Sequence, residues 1–145
     1  MTLLRQHFDS LMLPPAAVDW LLMLWQSIQT FDDYADGYLV ERQELDATIW
    51  NTLVAMPQNQ FFAQNSNILL PLLSTMVLKW QASDHVEREN QASAQSYMWR
   101  AGYYELVLMA VQLVHGPSAA KSVAHKVLGM YGETFEQYMK EFNHA

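Results

Sequence analysis

Two acidic runs stand where apolar helical patterns give out: Asp32-Asp33-Tyr34-Ala35-Asp36 and Asp84-His85-Val86-Glu87-Arg88-Glu89. Asp33 and Asp36 are three residues apart, as are Asp84 and Glu87, and residues so spaced on a helix face the same way. Each pair therefore offers two carboxylates to one ligand. Together with Asp32 they make an oxygen-rich set suited to Mg²⁺ or Mn²⁺, hard cations that keep part of their water and complete their shell with substrate phosphates. The matching chemistry is attack of a metal-bound water on the phosphoanhydride of a nucleotide or similar phosphate-bearing molecule, with Arg100 or Lys79 neutralising charge on the phosphate. No individual catalytic acid, base or nucleophile is readable.

Other groups carry weaker signals. His85 and Glu89 stand at i, i+4, a spacing that could extend a metal shell. Arg100 is a lone charge near the start of a strongly apolar stretch, placed either to bind phosphate bidentately or to pair with one of the acids. Glu105 lies in the same stretch and needs a partner. Ser74, Ser83 and Ser96 show no base beside them, and there is no glycine-rich phosphate loop. Either acidic run alone reads as the solvated end of a helix; both together read as a site only if they converge.

The elements that must position these groups are helical. Pro14-Pro15 preset a first helical turn, and Val18, Leu21, Leu22, Trp25 and Ile28 recur at spacings of three and four up to Gly37. A second helix is expected over about 41–56, with Leu45, Thr48, Ile49, Thr52 and Leu53 inward and Pro57 closing it. Asn65 to Asn67 precede a third, with Ile68, Leu69, Leu72, Leu73, Met76, Val77 and Trp80 as its stripe. A fourth, about 92–115, is apolar on nearly every side, which marks a surrounded helix or a dimer face. Ser118 is placed to cap a fifth through Met130, and Phe135, Tyr138, Met139 and Phe142 dock a last short one.

The expected fold is thus all-α, a single-domain antiparallel bundle of five to six helices. In an up-down-up arrangement the first and third helices would end at one pole, on stripes that pass from apolar to acidic (Gln29, Asp32 and Asp36 on one; Asp84 and Glu87 on the other). Acids in the last turn of a helix face the negative end of its dipole, an unfavourable placement of about 0.3–1 kcal/mol each. A shared cation would relieve it.

Composition narrows the classes. The chain has 145 residues and carries 8 basic against 15 acidic residues, a net charge of −7, which disfavours attraction to a phosphate backbone and so argues against nucleic acid as partner. It contains no cysteine, excluding disulfides and thiolate chemistry. No run of 18 consecutive apolar residues and no secretory signal pattern is present, so the expectation is a cytoplasmic protein without a membrane partner. Nine Met and five Trp suit a core or a protein-binding face, whether for a second copy or another protein.

Three resemblances add to this reading. Asp32 to Asp36 is similar to the DDxxD motif of isoprenyl diphosphate synthases, which implies Mg²⁺ held against a diphosphate. Two acidic i, i+3 pairs on separate helices, Asp33/Asp36 and Asp84/Glu87, resemble the MazG-like all-α NTP pyrophosphatases, although the usual ExxE and ExxD become DxxD and DxxE here. The stretches from Trp80 to Asp84, from Ser96 to Tyr104 and from Asp32 to Gly37 look like small uncharacterised proteins of tailed phages and prophages, which implies a bacterial setting. The functional expectation is a metal-assisted nucleotide phosphohydrolase; the alternative is a non-enzymatic phage-type interaction protein or a homodimeric helical module.

Overall fold

A computed structural model describes residues 2–142, and every regular element among them is helical. In chain order these are α1 (Thr2–Ser10), α2 (Pro15–Ala35), α3 (Arg42–Trp50), a π-helical segment (Asn51–Ala55), α4 (Met56–Gln58), α5 (Gln60–Arg88), α6 (Ala94–Trp99), α7 (Tyr103–His115), α8 (Pro117–Leu128) and α9 (Phe135–Lys140). The all-α expectation stands. The chain groups into two compact units, one reaching to Ser66 and one starting at Asn67.

In the first unit, Met12 in the turn after α1 has a positive φ of 57° that reverses the chain, and Pro15 opens α2 at a position where its missing N–H is no loss. Trp20 is fully buried and stacks on Phe62 at 5.5 Å between ring centroids. Phe8, Val18 and Leu21 are buried with it. Asn59 fastens this core: its amide donates to the Ala16 carbonyl at 2.9 Å, and its Oδ1 accepts from the Phe62 N–H at 3.0 Å, capping α5. The boundary between the units falls at a kink, where Asn65 leaves helical geometry (φ −126°, ψ 16°). That is the Asn65–Asn67 start expected for the third helix, but helix also precedes it from Gln60.

In the second unit, the long fourth helix expected over 92–115 is broken into α6 and α7 by a turn at Arg100–Gly102. Gly102 explains the break. It is buried against α5, and a Cβ there would stand 2.8 Å from Met76 Cγ and 3.4 Å from Met76 Cα. Only a residue without a side chain lets the turn approach α5 this closely. After α7, Gly116 at φ 88° reverses the chain, and α8 packs back against α7. Gly116, not Ser118, occupies the N-cap of α8, with Pro117 as its first residue. Thr134 and Gln137 form a reciprocal capping box that starts α9, and α9 packs on α6.

By length and composition α5 would suffice to cross a bilayer, though its sequence is interrupted by amides and Pro71. Leu70 and Leu78 on it are exposed, while Leu69, Met76, Ser83 and Glu87 are buried at steps of four and seven.

Replacing Gly102 with alanine should cost about 1–3 kcal/mol through overpacking, read as a lowered denaturant midpoint. The same change at Gly132, where a Cβ would meet nothing within 4 Å, should be neutral or slightly stabilising.

Candidate functional site

The two acidic runs belong to different units, Asp32, Asp33 and Asp36 to the first and Asp84 and Glu87 to the second. Among the described residues no group of three or more His, Asp or Glu side chains is arranged to hold a metal ion. On α2 the stripe was expected to pass from apolar to acidic on its inner face. It passes instead to hydroxyls: Ser27 and Thr30 are buried, while Gln29 and Asp36 are exposed and Asp32 and Asp33 are half-buried. The physical reason is that Ser27 and Thr30 can donate to the backbone carbonyls of Met23 (2.8 Å) and Gln26 (3.2 Å). Hydroxyls satisfied in this way enter a core at little cost, whereas a carboxylate must be desolvated. Neither Asp32 nor Asp36 is free of partners.

The second unit holds a buried polar network with Glu87 at its centre. The Glu87 side chain is 8% exposed, and its Oε2 accepts from Arg100 Nη1 at 2.7 Å. The same oxygen accepts from the Tyr138 hydroxyl at 2.7 Å. Tyr138 is fully buried; its Oη lies 2.6 Å from Ser96 Oγ, and its ring lies 5.5 Å from the Arg100 guanidinium. Ser83 Oγ donates to the Ser96 carbonyl at 2.9 Å. One carboxylate thus ties α5, α6, the turn after it and α9 together. Of the two roles open to Arg100, the internal pair is the one seen in the second unit.

Four more charged residues of this unit are paired, whereas His85 and Glu89, expected as possible additions to a metal shell, are exposed. Arg88 Nε donates to Asp84 Oδ2 at 3.0 Å, and Lys79 Nζ to Glu105 Oε1 at 2.5 Å, which supplies the partner Glu105 needs. Lys79 Nζ also lies 5.7 Å from the centroid of the Trp99 ring. From Tyr138 a chain of aromatic rings runs on through Tyr97, Tyr131, Tyr104 and Tyr103, with neighbouring centroids 5.1–5.4 Å apart. Tyr97 donates from its hydroxyl to the Glu133 carbonyl. Burial pushes the phenols up, Tyr104 and Tyr138 each to about 12, and Tyr103 and Tyr131 upward as well. At Tyr138 the bond to the Glu87 carboxylate adds to the effect of burial. A shallow cleft near the start of α6 is lined by Ser83, Val86, Gln91, Ser93, Gln95 and Trp99, none of them titratable near neutral pH.

The least expected surface lies on the first unit. On the helix formed by α3 and the π segment, Leu45, Ile49 and Leu53 were expected inward with Thr48 and Thr52. They are 42%, 47% and 73% exposed, and Trp50 beside them is 62% exposed. Thr48 is the residue that is buried: its hydroxyl lies 3.1 Å from that of Thr30 on α2 and donates to the Glu44 carbonyl at 2.9 Å. Threonine packs closely against α2 with its hydroxyl satisfied, and the larger apolar residues turn outward. Thr52 Oγ1 donates to the Thr48 carbonyl at 2.8 Å and Pro57 brings no N–H. Both disturb the regular ladder, which re-forms with the Met56 N–H bonded to the Asn51 carbonyl, an i→i+5 turn. In the sequence, the threonines 48 and 52 and the apolar residues 45, 49 and 53 are two stripes on one helix, and only hydropathy was available to choose between them.

No family model matches the chain, and no curated protein or solved structure matches it either.

The Glu87 network yields a testable ranking. Glu87→Gln removes the buried counter-charge of Arg100 and should cost about 3 kcal/mol; Tyr138→Phe keeps the ring and removes one hydroxyl, costing about 1–2 kcal/mol. In the folded state Tyr138 titrates at about 12, and in the unfolded state near about 10. Its contribution is fully present below pH 10 and is lost as pH rises toward 12, because only the unfolded chain releases the proton there. Urea titrations across this range should show stability falling with pH, less steeply in Tyr138→Phe.

Proposed function

We propose that this chain works by docking another protein on the outward apolar face of α3 and the π segment, without itself carrying out a reaction. The observation that carries this reading is the inverted helix: Leu45, Ile49, Trp50 and Leu53 lie exposed while Thr48 is buried. Contiguous exposed apolar surface is costly to solubility and marks interaction sites, and exposed Trp is typical of residues that dominate binding energy. A π-turn, uncommon in itself, is often found at functional positions. The interaction protein is thus favoured over the metal-assisted phosphohydrolase. Supporting the choice, Glu87 Oε2 already accepts two short hydrogen bonds, Asp84 is in an ion pair with Arg88, and Lys79 and Arg100 each hold a carboxylate.

Two measurements test this together. Ile49→Asp and Leu53→Asp should each change unfolding free energy by no more than about 1 kcal/mol, as for solvent-facing positions. Leu69→Ala, at a fully buried site, should cost about 2–5 kcal/mol. Millimolar Mg²⁺ or Mn²⁺ should leave the melting temperature unchanged. A cation present at 100 times its Kd would add about 2.7 kcal/mol; a rise of that kind, abolished by Asp33→Asn or Asp84→Asn, would restore the phosphohydrolase reading and overturn this one.

A further inference from the structure

The docking face has a charge character that points to the kind of partner it takes. Between Phe31 and Leu53 stand Asp32, Asp33, Asp36, Glu41, Glu44 and Asp46, with Arg42 as the one basic residue, so this stretch carries −5 of the chain's net −7. The Arg42 charge is locally offset, its Nε donating to Asp46 Oδ1 at 2.9 Å. Asp36, Glu41, Glu44 and Asp46 are exposed. Tyr34, Tyr38 and Leu39, also exposed, occupy the end of α2 and the loop leading to α3. Apolar anchors and acids are therefore interleaved along one stretch of the first unit.

We infer that the outward face of α3 and the π segment binds a cationic amphipathic helix of a partner protein, an inference that rests on the docking function proposed above and specifies its partner. Leu45, Ile49 and Leu53 at four-residue steps form a ridge of the kind that fits the groove of a crossing helix. Lysine or arginine flanking the partner's apolar stripe would meet Asp46 and Glu44, either side of Leu45 in the sequence, and Glu41 before it. The field of the acidic stretch steers such a partner in and discriminates against others. A second copy of this chain would bring the same −5 stretch against itself. Anionic lipid headgroups and nucleic-acid phosphates would be repelled likewise.

The test uses a synthetic Leu/Lys peptide of about 18 residues, five helical turns, with leucines at helical spacing, and a twin in which glutamate replaces every lysine. Binding is followed by fluorescence anisotropy at about 0.15 M salt, where screening removes weak long-range attraction. The Lys peptide should bind at least tenfold more tightly than its Glu twin. The double variant Ile49→Asp/Leu53→Asp should lose at least tenfold, even though it adds negative charge and would strengthen a purely electrostatic complex. Glu41→Gln/Glu44→Gln should lose severalfold and show a shallower salt dependence. Equal binding of the two peptides, binding of neither, or undiminished binding by the Asp double variant would each overturn the proposal. So would concentration-dependent dimerisation abolished by Ile49→Asp/Leu53→Asp, which identifies a second copy as the occupant and leaves the docking function standing. A cation response lost in Asp33→Asn removes that function as well, which separates the two failures.

Discussion

The second unit depends on a single buried carboxylate. Glu87 is held at 8% exposure by two short bonds to one oxygen, from Arg100 and Tyr138, and every element they come from is thereby fixed to the end of α5. A buried ion pair is stabilising only when geometry and further hydrogen bonds compensate for lost hydration. Here Tyr138 supplies that compensation twice, through its hydroxyl and through the face its ring turns to the guanidinium. Burial raises the cost of ionising the tyrosines that run on from Tyr138, and neighbouring phenols add to it at Tyr103 and Tyr131. Loss of Glu87 would remove the carboxylate that Arg100 and Tyr138 share, so the network places α6 and α9 more firmly than their six residues each would allow alone.

The first unit solves a different problem. Its core on α2 passes from aliphatic side chains to Ser27 and Thr30, and the Thr48–Thr30 contact draws α3 close. Small hydroxyl side chains satisfied by nearby carbonyls permit that approach, and the consequence is that the helix must turn its leucines, isoleucine and tryptophan to water. A surface so made is held in place by the core beneath it. Function, in this reading, follows from which of two stripes packs better against α2.

Much of the architecture was legible in the sequence. The helical period, the Pro14-Pro15 start, the Asn65 interruption and the docking of the last helix through Tyr138 all follow from local rules of propensity, capping and spacing. So did the need of Glu105 for a partner and the suitability of Arg100 for internal pairing. Two of the departures arise from contacts that local pattern does not carry. The break at Arg100–Gly102 is set by a close approach to Met76, a neighbour 26 residues earlier in the chain, and the burial of Thr48 in preference to Leu45, Ile49 and Leu53 reverses the usual sense of amphipathicity.

The sequence by itself determined an acidic, cysteine-free, all-helical chain with helix ends near Gly37, Pro57 and Gly116, because turns, caps and periodicity act within a few residues. Only the tertiary structure decided which carboxylate is buried, which cation answers it, and which stripe of the helix at 42–58 meets solvent. Those outcomes are settled by contacts between residues far apart in the chain, where hydrogen-bond satisfaction and close packing outweigh the hydropathy of any single position.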